Sequence, residues 1–106
     1  MEFIETPTFT RQLLLLMSDD EYARQQQRLT ENPEAGDLLV GGGGIRKLRV
    51  PLAGQGKSGG ARFIYYWVRE DWQIYMLLAY PKSEKDDLTA RETAVLRKLV
   101  KELCNG

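Results

Sequence analysis

A chain of 106 residues, 42% hydrophobic and 28% charged, can bury roughly two-thirds of its unfolded surface around one modest core, and leaves no room for a second. Fifteen basic residues balance fifteen acidic ones, so overall charge points to no class of partner. There is no histidine, and Cys104 is the single cysteine, which excludes an internal disulfide, imidazole-based zinc sites, Ser-His-Asp triads and paired-histidine ribonuclease chemistry within this chain. The opening MEFIETPTF is acidic and no apolar run approaches the roughly 18 residues of a membrane span, so a cytoplasmic protein without membrane attachment is expected.

In chain order, Phe3 to Glu5 reads as a short strand. Pro7 to Met17 reads as a helix, with Thr8 as its candidate N-cap and Phe9, Leu13, Leu16 and Met17 at helical spacing. Ser18 followed by Glu21 fits a capping box, which predicts a second helix from Asp19 to about Glu31, stopped by Asn32-Pro33. Leu38-Leu39-Val40, four glycines and IRKLRVPL then carry strand-like alternation, with Ile45, Leu48 and Val50 as core candidates. Ala61 to Val68 and Ile74 to Tyr80 form two strands of a hairpin joined by the polar REDWQ, both apolar on both faces, as central strands are. Pairing Val68 with Ile74 places Tyr66 opposite Met76 and Arg62 opposite Tyr80, with Lys82 one diagonal step away. Ala90 to Cys104 closes the chain as a helix with Val95, Leu96, Leu99, Val100 and Leu103 in one stripe. The order β-α-α-β-β-β-α implies an α+β fold, a small antiparallel sheet with helices packed on it, in one domain spanning residues 1–106.

Charge is segregated although its total is zero. Residues 1–37 hold three Arg against eight Asp or Glu, residues 38–69 hold six Lys or Arg and no acid, and residues 70–106 hold six bases against seven acids. The central strip contains Arg46, Lys47, Arg49, Lys57 and Arg62, much of it beside glycines that leave backbone N–H groups accessible, a composition suited to phosphate. Lys82 and Lys85 follow the last strand. Arg62, entering an apolar layer, needs a partner or a ligand. The glycines match neither a dinucleotide fingerprint, which needs a strand–turn–helix setting, nor a Walker motif, because Pro51 stands where the first glycine would be. The aromatics are read as packing residues, Tyr80 excepted because of its place beside Arg62.

GGGGIRKLRV, GQGKSGGARFIYYWV and IYMLLAYPKSEKDDLTARE, in this order and together with the SDDEY helix start and NPEAGDLL turn, resemble the RelE/HigB superfamily of type II toxins, most of all its HigB-like branch. The resemblance implies a RelE-like fold and a ribosome-dependent, metal-independent mRNA interferase that needs no cofactor. It also implies a cognate antitoxin, action on mRNA in the 30S A site, and operator DNA contacted through the toxin–antitoxin complex. In that family the ribose 2′-OH attacks its own phosphate. Arg62 matches the strand arginine that binds the phosphate and Lys57 a basic residue of the preceding loop, while Lys82, Lys85 and Tyr80 are candidates for positioning and proton transfer. Ser83 and Thr89 depart from the best-known pattern, where an arginine and a tyrosine occur. A binding module of the same fold, acting without cleavage through antitoxin, operator DNA or ribosomal RNA, is the alternative.

Overall fold

The computed structural model of the chain describes residues 1–53 and 59–105. Strand β1 (Glu2–Glu5) leads into helices α1 (Pro7–Leu16) and α2 (Asp19–Glu31); strands β2 (Asp37–Leu38), β3 (Arg46–Val50), β4 (Ala61–Val68) and β5 (Gln73–Pro81) follow, and helix α3 (Ala90–Asn105) ends the chain. The five strands form one sheet in the order β1-β5-β4-β3-β2. The sheet is mostly antiparallel, in keeping with the expected α+β fold, and β1 alone among the described strands runs parallel to its neighbour, β5. None of the described helices is long and apolar enough to cross a membrane.

Local signals explain most element ends. Thr6, not Thr8, caps α1: its Oγ1 accepts from the Phe9 N–H at 3.0 Å, and Pro7 takes the first helical position, where its missing N–H costs nothing. The Ser18–Glu21 capping box of α2 forms in both directions, and Asn32 is its C-cap. Leu38-Leu39-Val40 contributes less strand than its pattern implies. Only Asp37–Leu38 pairs with β3, because the chain turns at Val40, which is fully exposed, into the glycine run.

The central strands β4 and β5 are apolar on both faces because each face carries its own core. Phe63, Tyr65, Leu48, Val50, Ile74 and Met76 meet Phe9, Leu13, Tyr22 and Leu29 of α1 and α2. On the opposite face Ile45, Ile64, Leu77 and Tyr80 meet Leu96 and Val100 of α3. The apolar stripe of α3 is only partly covered, with Val95 and Leu103 left exposed.

The hairpin register holds a correction. Next to the turn the pairs are Val68–Gln73, Trp67–Ile74 and Tyr66–Tyr75, one residue off the expected pairing; beyond a bulge between Ile64 and Tyr65 they become Ile64–Leu78, Phe63–Ala79 and Arg62–Tyr80, as expected. The turn takes one residue fewer than counted, with Trp72 in the left-handed region (φ 53°), and Leu77 is the extra residue that restores the count. Helix α1 supports this bulge where β1 has ended. The Thr6 N–H donates to the Met76 carbonyl at 3.0 Å, the Thr6 hydroxyl to the Leu77 carbonyl at 2.8 Å, and the Ala79 N–H to Gln12 Oε1 at 2.8 Å.

Gln12→Ala therefore leaves the Ala79 N–H without its acceptor and withdraws one support of the bulge. The expected loss is about 1–3 kcal/mol of unfolding free energy, read as a lower urea midpoint at unchanged slope, with Arg11→Ala on the exposed side of α1 as the near-neutral reference.

Candidate functional site

On the sheet face that carries α3, Arg49 of β3, Arg62 of β4 and Tyr80 of β5 lie in one transverse row, each directly opposite the next. The alternation of β4 puts Arg62 on this face, between Ala61 and Phe63 of the other core, and the Leu77 bulge puts Tyr80 there as well. Two like charges opposite each other on neighbouring strands destabilise a sheet by a few tenths of a kcal/mol to about 1 kcal/mol. An anion between or beside them removes that cost.

The Arg62 side chain is only 6% exposed. Its Nη1 donates to the Ala61 carbonyl at 3.0 Å, its Nη2 to Asp86 Oδ1 at 3.0 Å, and its Nε finds no acceptor among the described residues. Asp86 comes from the connection between β5 and α3 and is 54% exposed, so an incoming anion can take its place without breaking the core. The next residue, Asp87, pairs with Lys47, which shares the face of Arg49 two residues away. Lys85 closes the series, with Nζ 2.5 Å from Glu92 of α3 and 5.9 Å from the centre of the Tyr80 ring. Lys82 extends the β4–β5 ladder: its N–H donates to the Gly60 carbonyl at 2.9 Å.

These pairings shape the proton affinities. The hydrogen bond and charge of Lys47 hold the Asp87 carboxyl below the usual carboxylate range, and a hydrogen bond from Lys85, helped by the Thr89 N–H, does the same for Glu92. Burial, reinforced by the Asp87 charge, pushes the Tyr80 phenol up to about 12. Tyr80 is therefore a neutral hydroxyl at physiological pH, 3.4 Å from the Asp86 carbonyl, to which it donates.

Of the residues expected at the site, Arg62, Tyr80, Lys47 and Arg49 share one face, and Lys82 and Lys85 border it. Arg46 does not. It points to the α1–α2 side, where it donates to the Gly36 carbonyl at 2.8 Å and pairs with Glu34 at 3.2 Å, because alternation along β3 sends it opposite to Lys47. Lys57 lies outside the described residues. Asp86, Asp87 and Glu92 were not among the residues expected from the sequence, although adjacent aspartates a few residues after a strand bearing Tyr80 were a visible signal.

An open groove of about 430 Å³ adjoins the Lys47–Asp87 pair, walled by Leu38, Val40, Leu88 and Thr93. The arrangement can hold an oxyanion against Arg62 and Arg49 and present a neutral hydroxyl beside it.

Comparison with known proteins agrees with this architecture. The structure is similar to a chain in the crystal structure of the intact E. coli RelBE toxin–antitoxin complex, with a TM-score of 0.57 and 17% sequence identity, over 74% of this chain and 92% of that one. At that identity the likeness speaks for the fold. The family model described as the RelE toxin of the RelE/RelB toxin–antitoxin system matches residues 5–105, nearly the whole chain, and the chain therefore belongs to the RelE toxin family of toxin–antitoxin systems.

Proposed function

We propose that this chain, acting as a single domain, is a ribosome-dependent endoribonuclease that cleaves translated mRNA by attack of a ribose 2′-OH on the adjacent phosphate. The observation that carries this reading is the row Arg49–Arg62–Tyr80: two arginines at directly paired positions on one face of the sheet, with a neutral phenol at the next position of the row. The scissile phosphate takes the place of the Asp86 carboxylate on Arg62, whose planar fork matches two phosphate oxygens, and Arg49 adds a second positive charge from the solvent side. Lys82, which follows β5 two residues after Tyr80, accepts the 2′-OH proton in its neutral amine form as the oxygen attacks phosphorus. The P–O5′ bond breaks, the Tyr80 hydroxyl supplies the proton to the departing oxygen, and the products carry a 2′,3′-cyclic phosphate and a 5′-hydroxyl. Charge on the phosphorane is stabilised by groups already in place, so little reorganisation is needed at the moment of reaction.

Lys47 and Lys85, together with Lys57 of the glycine-rich sequence, hold more distant phosphates of messenger or ribosomal RNA in the 30S A site. The E. coli relative crystallised as a toxin–antitoxin complex, which supports a cognate antitoxin for this chain too, with operator DNA contacted through that complex. The second reading is a binding module without cleavage. It is favoured by the fact that Asp86, Asp87 and Glu92 already neutralise Arg62, Lys47 and Lys85.

Arg62→Ala is expected to cleave ribosome-bound mRNA on the order of 100-fold to 1,000-fold more slowly while staying folded. Undiminished single-turnover cleavage by the folded variant would assign the site to the binding-module reading. Lys82→Gln is expected to bind ribosomes nearly normally, cleave slowly and lose the rise of rate with pH that deprotonation of the base produces, whereas Lys85→Gln should weaken binding and flatten its salt dependence with little change at saturation. Mass spectrometry of the products should find cyclic or 3′-phosphate ends, with turnover insensitive to chelator so long as the ribosome stays intact; 3′-hydroxyl ends would exclude this route.

A further inference from the structure

The cations of α3 are placed unlike those of the proposed active site. Lys47, Arg62 and Lys85 each pair with a carboxylate, but Arg97, Lys98 and Lys101 form no ion pair among the described residues. Arg97 and Lys101 line a separate pocket of about 250 Å³ together with Gly42, Gly43, Tyr66 and Cys104. Arg97 lies about two turns before the end of α3, so complementing the helix terminus does not account for it.

The glycine loop is shaped to this pocket. Gly43 (φ 64°) and Gly44 (φ 107°) are in conformations that side-chain-bearing residues avoid, and a Cβ on Gly43 would stand 2.9 Å from Arg97 Nε, one on Gly44 2.9 Å from Tyr66 Cε1. The absence of side chains thus lets the Arg97 guanidinium and the Tyr66 ring lie directly on the loop backbone. Arg97 makes one long contact there, Nη1 to the Gly41 carbonyl at 3.5 Å. The N–H groups of Gly43 and Gly44 have no acceptor among the described residues, while those of the flanking Gly42 and Ile45 do. Gly41, Gly43 and Gly44 all have positive φ, and exposed consecutive N–H groups without a protein acceptor, as at Gly43 and Gly44, are free to donate to an anion.

No carboxylate lines the pocket, and burial with the nearby Asp71 charge raises the Cys104 thiol, leaving it uncharged. Asp71 is the acid that opposes an anion here, against Arg97, Lys101 and two N–H donors.

We propose that the Gly41–Gly44 loop, Arg97, Lys101 and Tyr66 form a second phosphate-binding subsite, which takes a backbone phosphate of the same RNA whose scissile phosphate lies at Arg62. The proposal rests on the ribonuclease reading for the identity of the RNA, and on the pocket alone for its affinity for phosphate. Tyr66 lies four residues beyond Arg62 on the same face of β4, roughly 13 Å away at strand spacing, a span that a few nucleotides cover.

The test follows backbone amide NMR signals of the full chain titrated at constant ionic strength, first with inorganic phosphate and then with a 2′-O-methyl RNA oligonucleotide, which offers no 2′-OH nucleophile. Saturable shifts of the Gly43 and Gly44 amides are expected with both probes, at lower concentration for the oligonucleotide. They should vanish in R97Q/K101Q and persist in Arg62→Ala, so that this subsite and the catalytic reading fail separately. The log–log salt dependence of oligonucleotide binding should fall by about 0.7 per lost phosphate contact in R97Q/K101Q. Shifts with phosphate but not with the oligonucleotide would overturn the RNA assignment and leave free phosphate as the ligand. No saturable shift with either probe, or shifts unchanged in R97Q/K101Q, would overturn the subsite itself.

Discussion

The meeting of Arg62 with Tyr80 at the proposed active site depends on one irregularity, the extra residue at Leu77 in β5. If the pairing that leaves the hairpin turn continued without it, Arg62 would face Ala79, and Tyr80 would lie on the α1–α2 side of the sheet. A bulge costs ladder hydrogen bonds, so it persists only where other groups meet the freed backbone. Here the start of α1 does so through Thr6 and Gln12, at the point where β1 ends and the outer edge of β5 would otherwise be open. The N-terminal helix, remote from the phosphate site, thereby decides which face carries the phenol.

The second constraint is electrostatic. An arginine buried in a central strand and aligned with another arginine requires a counter-anion at all times, and the chain provides its own in Asp86. Because Asp86 and Asp87 belong to the connection between β5 and α3, they neutralise the site without being part of its rigid floor. Exchange of a carboxylate for a phosphate then conserves the charge balance of the sheet. A chain with no net charge can in this way carry a face specialised for a polyanion.

Two small cores on either side of one sheet let a short chain bury both faces of β4 and β5. The α1–α2 side holds the aromatic cluster of Phe9, Tyr22 and Phe63, and the Tyr65 hydroxyl ties the α2–β2 connection to the sheet by accepting from the Gly36 N–H at 2.9 Å and donating to the Pro33 carbonyl at 2.7 Å. The α3 side holds the functional row, so aliphatic packing and the charged site share one face.

The sequence by itself determined the helices, the central hairpin and the residues of the core, because caps, hydrophobic periodicity and turn residues act over a few positions. The Ser18–Glu21 box, the burial of Ile45, Leu48 and Val50, and the strand limits near Ala61 and Val68 are of this kind. Arg62 and Tyr80 were also legible as neighbours, although the count that paired them was off by one at the turn and was restored by a bulge it did not contain. Only the tertiary structure decided the parallel place of β1, the removal of Arg46 to the opposite face, the carboxylates Asp86 and Asp87 on cations up to 40 residues away, and the support of the bulge from α1. Each of these joins groups distant along the chain, and such contacts depend on how the elements pack rather than on the residues beside them.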